Sequence, residues 1–338
     1  MGNPLRLGIL GCADVVRRLM LPALRATTMV ALETVASRDS AKARDWSRQF
    51  GCRAACDYDE ILKDPLVDAV YIPLPTSEHT VWVGKAARAG KHVICEKPLS
   101  GSLSAAHSIV EACRKNGVVL FENLACGQHP QHEAVAGLVR SYFKSPTMFF
   151  KGSFGFPHRP QGDIRYRRDL DGGALNDAGV YPIFLARKLF AREPLEVRCH
   201  LYADPRWDVD IAGVAQMDFS DGAAAQVSFG MGLAYQNQYE IWGDAGRITL
   251  NRAYSIPADH QPELSYFDGR ETQRIDVPAA DQFRLTLEAF YHAVTWTATV
   301  RKARYESILC QAQVLDALRR SAHECRSVRL SEMAEVVA

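Results

Sequence analysis

The chain has 338 residues, a length that suggests about two domains and leaves ample sequence for a buried core. Of these residues, 47% are hydrophobic and 23% are charged, and the formal net charge is +1. A nearly neutral chain gives no electrostatic reason to expect nucleic acid or an anionic membrane as a partner.

Two further properties narrow the class of protein. The N-terminus lacks the pattern of a secretory signal, and no run approaches the ~18 apolar residues that a membrane helix needs. We therefore expect a cytoplasmic protein. The nine cysteines are an odd number, and Cys52 and Cys56 form only a CxxxC without a nearby histidine pair. They are expected to be reduced thiols, mostly buried, without a metal site.

In the first third of the chain, strand-like and helical patterns alternate. The pattern predicts strands over residues 5–10, 30–36, 68–75, 91–95 and 118–122. It predicts helices after Gly11, over 39–51 with Asp39 or Ser40 as cap and Gly51 at the end, over 77–89 and over 102–116. Such alternation indicates right-handed βαβ units and a parallel sheet with both faces covered.

After Asn123 the pattern changes to strands in series. They are predicted over 147–156, 195–203, 212–219, 223–231, 238–242 and 247–250, with helices over 173–190, 281–297 and 306–325. Asp221 and Gly222 between two alternating runs predict a hairpin. The second half is therefore expected to be an α+β domain on a mostly antiparallel sheet.

The segment after the first strand is a degenerate form of the GxGxxG fingerprint. Gly11 holds the first glycine position, and Ala13 and Val16 hold the other two. The small residues and the helix N-terminus suit a pyrophosphate, but a plain strand-to-helix turn of another α/β protein fits the loop equally well. With the alternating units, we predict an α/β protein with a doubly wound, Rossmann-type dinucleotide-binding domain at 1–125. The α+β domain at 126–338 would bind substrate, and its terminal helices can pack back on the first domain.

The end of the second strand addresses the choice of cofactor. Ser37 and Arg38 stand where NAD-binding proteins carry an acidic residue, and a hydroxyl with a guanidinium suits a 2′-phosphate. NADP is therefore favoured. In the alternative, Arg38 is a solvated surface charge and Asp39 binds the ribose.

Three polar residues are candidates for chemistry. Lys97 follows a buried strand and precedes a proline, at the edge where open α/β sheets place their ligands. Asp177 and Tyr181 are four residues apart and share a helical face. They could instead be a capping Asp and a core Tyr. Next to Lys97, however, the phenol would be a better proton carrier, because an ammonium lowers its pKa.

Several segments together resemble the glucose-fructose oxidoreductase and inositol dehydrogenase family. They are GCADVV at 11–16, IPLPTSEHT at 72–80, AGKHVICEKPLS at 89–100, FEN at 121–123 and GGALNDAGVYP at 172–182. That family usually has His where this chain has Tyr181. The tyrosine, with HPQH at 129–132, PQGDIRY at 160–166 and DAGVYPI at 177–183, is similar to the nucleotide-sugar C-3 ketoreductases of deoxysugar and antibiotic biosynthesis.

The resemblance implies reduction of a 3-keto group on a dTDP-linked keto-deoxysugar with hydride from NADPH. It implies that Lys97 and Tyr181 are the catalytic pair, one donating the proton and the other stabilising the oxygen, with Asp177 in support. Cofactor contacts implied are Gly11, Cys12, Ala13, Asp14, Val15, Val16, Arg17, Arg18, Ser37, Arg38, Leu74, His79, Glu96, Lys97, Arg165 and Asp177. Substrate contacts implied are Lys97, Tyr181, Tyr235 and Gln261, although sheet packing explains the last two nearly as well. Ala125, Cys126 and Gly127 replace bulkier residues, so the pocket floor, and with it the sugar, can differ.

Two other functions stay open at this point. Hydride transfer is reversible, so the same residues could serve a sugar or polyol dehydrogenase. A non-catalytic NADP-binding regulator is the alternative of another class, and intact Lys97, Asp177 and Tyr181 argue against it. A broad antiparallel sheet with one uncovered face needs a partner, so a homodimer or homotetramer is expected.

Overall fold

The computed structural model describes residues 3–295 and 298–336. Contacts divide it into two compact units. One consists of the chain up to Ala125 together with Phe283–Leu309, and the other of Cys126–Gln282 together with the chain from Cys310. The first unit thus includes a later helical segment, and the predicted domain bounds of 1–125 and 126–338 stay a prediction.

The first unit contains a six-stranded parallel sheet in the order β3-β2-β1-β4-β5-β6. The strands are β1 Leu5–Leu10, β2 Val30–Ala36, β3 Arg53–Ala54, β4 Ala69–Ile72, β5 His92–Cys95 and β6 Leu120–Glu122. The order reverses between β1 and β4, as in doubly wound folds that bind ligands beyond the carboxyl ends of their strands. The predicted fold class is confirmed for this part of the chain.

Helices follow the strands, and their ends show ordinary capping chemistry. They are a π-helical turn Val16–Met20 with α1 Leu21–Arg25, then α2 Ser40–Phe50, α3 Tyr58–Lys63, α4 Thr76–Arg88 and α5 Leu103–Lys115. Asp39 caps α2 by accepting hydrogen bonds from the amides of Ala41 and Lys42, and Gly51 ends it with a φ of 69°. The predicted caps of α2 are confirmed.

Apolar side chains pack on both faces of the parallel sheet. Leu7 and Ile9 of β1 belong to one buried cluster, and Leu10 belongs to another. This division follows from the strand itself, because successive side chains point to opposite faces. From the C-terminal half of the chain, Phe290 joins the first cluster and Tyr305 the second.

The second unit is built on a nine-stranded sheet in the order β14-β13-β12-β11-β7-β10-β9-β8-β15. Its strands are β7 Phe149–Phe156, β8 Glu196–Asp204, β9 Val209–Asp218, β10 Ala224–Met231, β11 Gln236–Gly243, β12 Gly246–Asn251, β13 Glu263–Phe267, β14 Thr272–Ile275 and β15 Val328–Arg329. Every pair is antiparallel except β7 with β10. Asp221 and Gly222 both have positive φ between β9 and β10, as the predicted hairpin requires.

The remaining helices are α6 Pro130–Tyr142, α7 Val180–Phe190, α8 Gln282–Val294 and α9 Ala298–Glu324. The sequence did not predict α6, α3, β3, or the strands after β12. The predicted helix over 173–190 is a π-helical turn, Leu175–Gly179, followed by α7, and α9 begins before the predicted residue 306. The predicted end of a helix at residue 297 lies outside the described residues.

Three general features of the described chain bear on function. None of its helices combines the length and the apolar character needed to span a bilayer. All nine cysteines are free thiols, five of them buried. Within residues 3–295 and 298–336, no group of His, Cys, Asp and Glu is arranged to hold a metal ion.

Candidate active site

The turn after β1 requires a glycine. Gly11 has a φ of 121°, and a Cβ at this position would lie 2.9 Å from Cδ2 of Leu74. Its amide donates to the carbonyl oxygen of Ala36, which joins the ends of β1 and β2. Val16 is fully buried and Cys12 is 6% exposed. A ligand in this loop would therefore meet backbone groups rather than these two side chains.

Charged residues of the same loop and helix lie at the surface. The carboxylate of Asp14 is 2.5 Å from Nε of Arg18 and 3.3 Å from Arg17, and all three side chains are more than half exposed. Ala13 and Val15 are half-buried beside them. The cluster is open to a ligand, and its predicted cofactor contacts stay a prediction.

The residues after β2 are the ones predicted to contact the adenosine ribose or its 2′-phosphate. Oδ1 of Asp39 accepts the amides of α2, and Oγ of Ser37 accepts the amide of Asp39. Arg38 is exposed and forms no ion pair with any described residue. Oδ1 of Asp39 thus serves as a helix cap, and a phosphate contact at Ser37 and Arg38 stays a prediction.

Glu96 and Lys97 follow β5 at the carboxyl edge of the parallel sheet. Oε1 of Glu96 accepts hydrogen bonds from the Tyr71 hydroxyl at 2.5 Å and from Nδ2 of Asn123 at 2.6 Å. The backbone beyond Lys97 is fixed too, since the Leu99 amide donates to Oε1 of Glu122 at 2.9 Å. Lys97 thus extends, half-buried, from a segment that is held on both sides.

His79, a predicted cofactor contact, lies beneath the loops at the carboxyl edge of the parallel sheet. Its side chain on α4 is fully buried, with Nε2 2.9 Å from the Leu74 carbonyl oxygen and Nδ1 3.1 Å from those of Pro98 and Leu99. Burial lowers the pKa of His79, although the three carbonyl oxygens favour its charged form. The ring nitrogens of His79 bind the loops that follow β4 and Lys97, and its predicted cofactor contact stays a prediction.

In the second unit, a strained glycine begins the helix that carries Asp177 and Tyr181. Gly173 has a φ of 114°, and a Cβ there would lie 2.3 Å from Oδ1 of Asp210. Oδ2 of Asp210 accepts the amide of Leu175 at 2.7 Å. The close approach of this carboxylate therefore sets the start of the π-helical turn.

Asp177 is paired with Arg165. Nε of Arg165 donates to Oδ2 of Asp177 at 2.7 Å, and Nη1 donates to Asp163 at 3.0 Å. The negative charge of Asp177, and to a smaller extent that of Asp163, raises the pKa of Arg165. The guanidinium therefore stays charged and orients the Asp177 carboxylate. Whether Arg165 also contacts a cofactor stays a prediction.

Tyr181 lies in the first turn of α7, half-buried. Its ring packs edge-on against Phe154, with centroids 5.4 Å apart, and lies 6.4 Å from the ring of Tyr254. The two rings restrict the direction of its phenol. Asp177 and Tyr181 belong to the second unit, whereas Lys97 belongs to the first.

The candidate substrate residues lie on the second unit. Tyr235 is 46% exposed and precedes β11, so it is not a packed sheet residue. Its hydroxyl oxygen accepts from Nδ2 of Asn237 at 2.9 Å and from Nη1 of Arg252 at 3.2 Å. Since both neighbours are donors, the phenol hydrogen is directed elsewhere. Gln261 is exposed as well.

Sequence reasoning missed Tyr71 and Arg252. Tyr71 is embedded in the apolar run of β4, where a phenol looks like ordinary core. Arg252 has a φ of 54°, and its guanidinium lies 5.1 Å from the ring centre of Tyr235. An arginine in a surface turn carries no motif that would have identified it.

Comparison with known proteins places the chain in a family. The model described as "Oxidoreductase family, NAD-binding Rossmann fold" matches residues 5–124, and that of the "GFO/IDH/MocA C-terminal domain" matches 146–249. The chain belongs to the GFO/IDH/MocA oxidoreductase family. The predicted resemblance and the fold class of both halves are thereby confirmed.

Relatives in this family have stated activities. A dTDP-3,4-didehydro-2,6-dideoxy-alpha-D-glucose 3-reductase from Streptomyces violaceoruber is 42% identical, over 94% of this chain and 96% of its own. A D-xylose 1-dehydrogenase (NADP+) from Haloferax volcanii is 34% identical, over 96% and 99%. A 3-ketoreductase from Actinomadura kijaniata, solved with NADP and TDP-benzene, superimposes with a TM-score of 0.89 at 37% identity, over 94% of this chain and 98% of that chain.

Proposed function

We propose that the protein is an NADPH-dependent ketoreductase that reduces the C-3 ketone of a dTDP-linked keto-deoxysugar. The observation that carries the proposal is the 42% identity to a named sugar-nucleotide 3-reductase over nearly the whole of both chains. A related 3-ketoreductase was solved with NADP and a TDP derivative, which supports the same cofactor and nucleotide.

Lys97 and Tyr181 are the proposed catalytic pair. The Actinomadura 3-ketoreductase was also solved as variants in which one lysine or one tyrosine was replaced. The number of residues between those two positions in that chain equals the number between Lys97 and Tyr181 in this one. This equal separation supports the assignment of both side chains to the reacting carbonyl.

The chain's own residues fit a dinucleotide cofactor with a 2′-phosphate. Gly11 permits the tight turn after β1, and the side chains of Cys12 and Val16 are buried, which leaves backbone groups of the turn to meet a pyrophosphate. Arg38, at the end of β2, forms no ion pair with a described residue and would bind the phosphate together with Ser37. Glu96 and Leu74, beyond the ends of β5 and β4, would contact the nicotinamide half.

The reaction needs a proton and charge stabilisation at the ketone oxygen. Bound NADPH supplies the hydride that adds to C-3. As the π bond of the carbonyl breaks, its electron pair moves onto the oxygen, where the Lys97 ammonium and the Tyr181 phenol are the proposed donors. One transfers its proton, and the other stabilises the developing alkoxide. Asp177, oriented by Arg165, supports the pair.

A panel of keto-sugar nucleotides tests the proposal. NADPH oxidation is measured with dTDP- and UDP-linked 3-keto and 4-keto sugars. We expect strong preference for 3-keto dTDP sugars. If the protein binds NADPH yet oxidises none with any keto-sugar, the ketoreductase proposal is wrong and a regulatory NADP-binding protein is favoured.

The second candidate is an NADP-dependent sugar dehydrogenase. It is favoured by the 34% identity to a D-xylose 1-dehydrogenase that covers nearly all of both chains. Reduction of NADP by free aldoses, measured beside the keto-sugar panel, distinguishes the two. Faster turnover of a free aldose than of any nucleotide-linked ketone would favour the dehydrogenase.

We also infer a homodimer or homotetramer. One face of the second unit's sheet presents exposed apolar side chains, including Trp242 at 60% and Phe149 at 45%, whose rings lie 5.9 Å apart. Val214 and Tyr202 extend this surface on neighbouring strands. An exposed apolar patch of this kind is typical of a subunit interface.

A further inference from the structure

Tyr71 is a tyrosine in a strand that otherwise contains only apolar residues. The side chain is fully buried in the middle of the parallel sheet. A phenylalanine would fill the same apolar space, and a buried hydroxyl without a partner costs free energy. The hydroxyl therefore calls for an explanation beyond packing.

The partner of that hydroxyl is Glu96. Tyr71 pairs with Ile94 across β4 and β5, and Glu96, two residues further along, points to the same face as Ile94. The hydroxyl lies 2.5 Å from Oε1 of Glu96. Burial, as the larger cause, and the neighbouring Glu96 carboxylate, as the next, raise the pKa of Tyr71 well above its ordinary value. The phenol thus stays protonated, so that it donates and the carboxylate accepts.

Asn123 holds the same oxygen from the other side. Its Nδ2 lies 2.6 Å from Oε1 of Glu96, and its backbone amide donates to the Cys95 carbonyl oxygen at 2.7 Å. One donor comes from β4 and the other from the residue that follows β6, the two strands on either side of β5. Two donors on one oxygen fix the rotation of the carboxylate. Oε2 makes no hydrogen bond to any described residue.

We propose that Tyr71 is a positioning residue that orients Glu96, with Oε1 turned inward so that Oε2 accepts a hydroxyl or amide donor of the bound dinucleotide. This inference rests on the proposed function for the identity of the ligand. Glu96 makes the contact, and Tyr71 acts through Glu96. Lys97 is the next residue, so the same hydrogen bond also fixes the segment from which the lysine extends.

Tyr71→Phe removes only the hydroxyl. We expect the Kd for NADPH, measured by fluorescence titration without any sugar, to rise about ten-fold, as for a lost hydrogen bond to a charged group. The matched control is Tyr305→Phe. Tyr305 is also buried in the first unit, and its hydroxyl donates to the Val118 carbonyl oxygen, away from Glu96. The Kd of the Tyr305→Phe variant for NADPH should stay at the wild-type value.

A double-mutant cycle tests whether Tyr71 acts through Glu96. In a Glu96→Ala background, Tyr71→Phe should cause no further loss of NADPH affinity, because the acceptor is already gone. Asn123→Ala should also weaken binding and show the same lack of additivity, which keeps the test usable if Tyr71→Phe does not fold.

Three results would overturn the proposal: wild-type affinity in Tyr71→Phe, an equal loss in Tyr305→Phe, or additive losses with Glu96→Ala. The binding measurement needs no keto-sugar. Failure of the ketoreductase proposal would therefore appear in the turnover assay alone and would leave this test intact.

Discussion

At the scale of single residues, the site depends on polar side chains whose orientation is set by hydrogen-bonded neighbours. Tyr71 and Asn123 hold Glu96 in the first unit, and Arg165 holds Asp177 in the second. The carboxylates of Glu96 and Asp177 are therefore each oriented by a residue that no motif identified for that purpose. Lys97 is the side chain whose removal tests the chemistry most directly.

Lys97→Ala should lower kcat with a 3-keto dTDP sugar by roughly a hundred-fold or more, the usual effect of losing a proton donor. The loss should exceed any change in the Kd for NADPH, because the lysine acts on the developing oxygen charge. Steady-state kinetics and fluorescence titration measure the two quantities. Lys85→Ala, which removes a partly exposed lysine paired with Asp59, is the control. Unchanged turnover in Lys97→Ala would contradict the catalytic assignment.

Arg38 tests the choice between NADP and NAD. Arg38→Ala should weaken NADPH binding by about ten-fold or more while leaving NADH binding nearly unchanged, since only NADPH carries the 2′-phosphate. Arg48→Ala removes an exposed charge from the same region, at the far end of α2, and should affect neither cofactor. An equal loss of affinity for NADPH and NADH would show that Arg38 does not bind the 2′-phosphate.

At the scale of elements, the sequence predicted the parts that obey local rules. The first strand, the caps of α2 and the hairpin at Asp221 and Gly222 follow from periodicity, capping residues and turn chemistry. It missed α6, whose N-cap is His129 rather than Ser, Thr, Asp or Asn. The π-helical turn before α7 depends on contact with Asp210, which is distant in the chain and invisible to local patterns.

Gly173 shows how such a distant contact can be tested. Gly173→Ala should lower the free energy of unfolding by roughly 2 kcal/mol, because the residue has positive φ and the new methyl group would meet Asp210. Activity should fall as well, since Asp177 and Tyr181 follow this turn. Gly162→Ala is the control, as its Cβ would meet nothing within 4 Å. Chemical denaturation measures the free energy of unfolding of the two variants. Equal values would show that a side chain at position 173 causes no strain.

The start of α6 gives the second unit a dependence on pH. His132 lies with Nδ1 2.9 Å from the Tyr239 hydroxyl and Nε2 3.0 Å from the Ala253 carbonyl oxygen. Burial lowers the pKa of His132 to about 3 and that of His129 to about 4. Both rings are thus neutral in the folded protein under conditions where an unfolded histidine takes up a proton.

The sign follows from proton uptake. Below about pH 6.5 the two histidines bind protons in the unfolded chain but not in the folded protein. The free energy of unfolding therefore falls as the pH decreases toward 4, by about 1.4 kcal/mol per pH unit for each ring. Urea denaturation between pH 7 and pH 5 measures this slope. His132→Gln should flatten it, whereas His323→Gln, which alters an exposed ring on α9, should not. A slope that His132→Gln leaves unchanged would contradict this origin.

At the scale of the whole molecule, the proposed association of copies of the chain rests on the sheet of the second unit. Alternation along its strands buries one face and leaves Trp242, Phe149 and Val214 on the other. Sequence patterns predicted an uncovered face but not which side chains form its apolar surface, because that depends on strand order and on the parallel pairing of β7 with β10.

Trp242→Glu places a charge within that surface. If the face is an interface between copies, burying an unpaired carboxylate there opposes association, and the variant should be monomeric where the wild type is dimeric or tetrameric. Light scattering after size-exclusion chromatography measures the masses. Leu66→Glu, an equally apolar surface position in the first unit, should keep the wild-type mass. A monomeric wild type, or an unchanged mass in Trp242→Glu, would show that this face is not the interface.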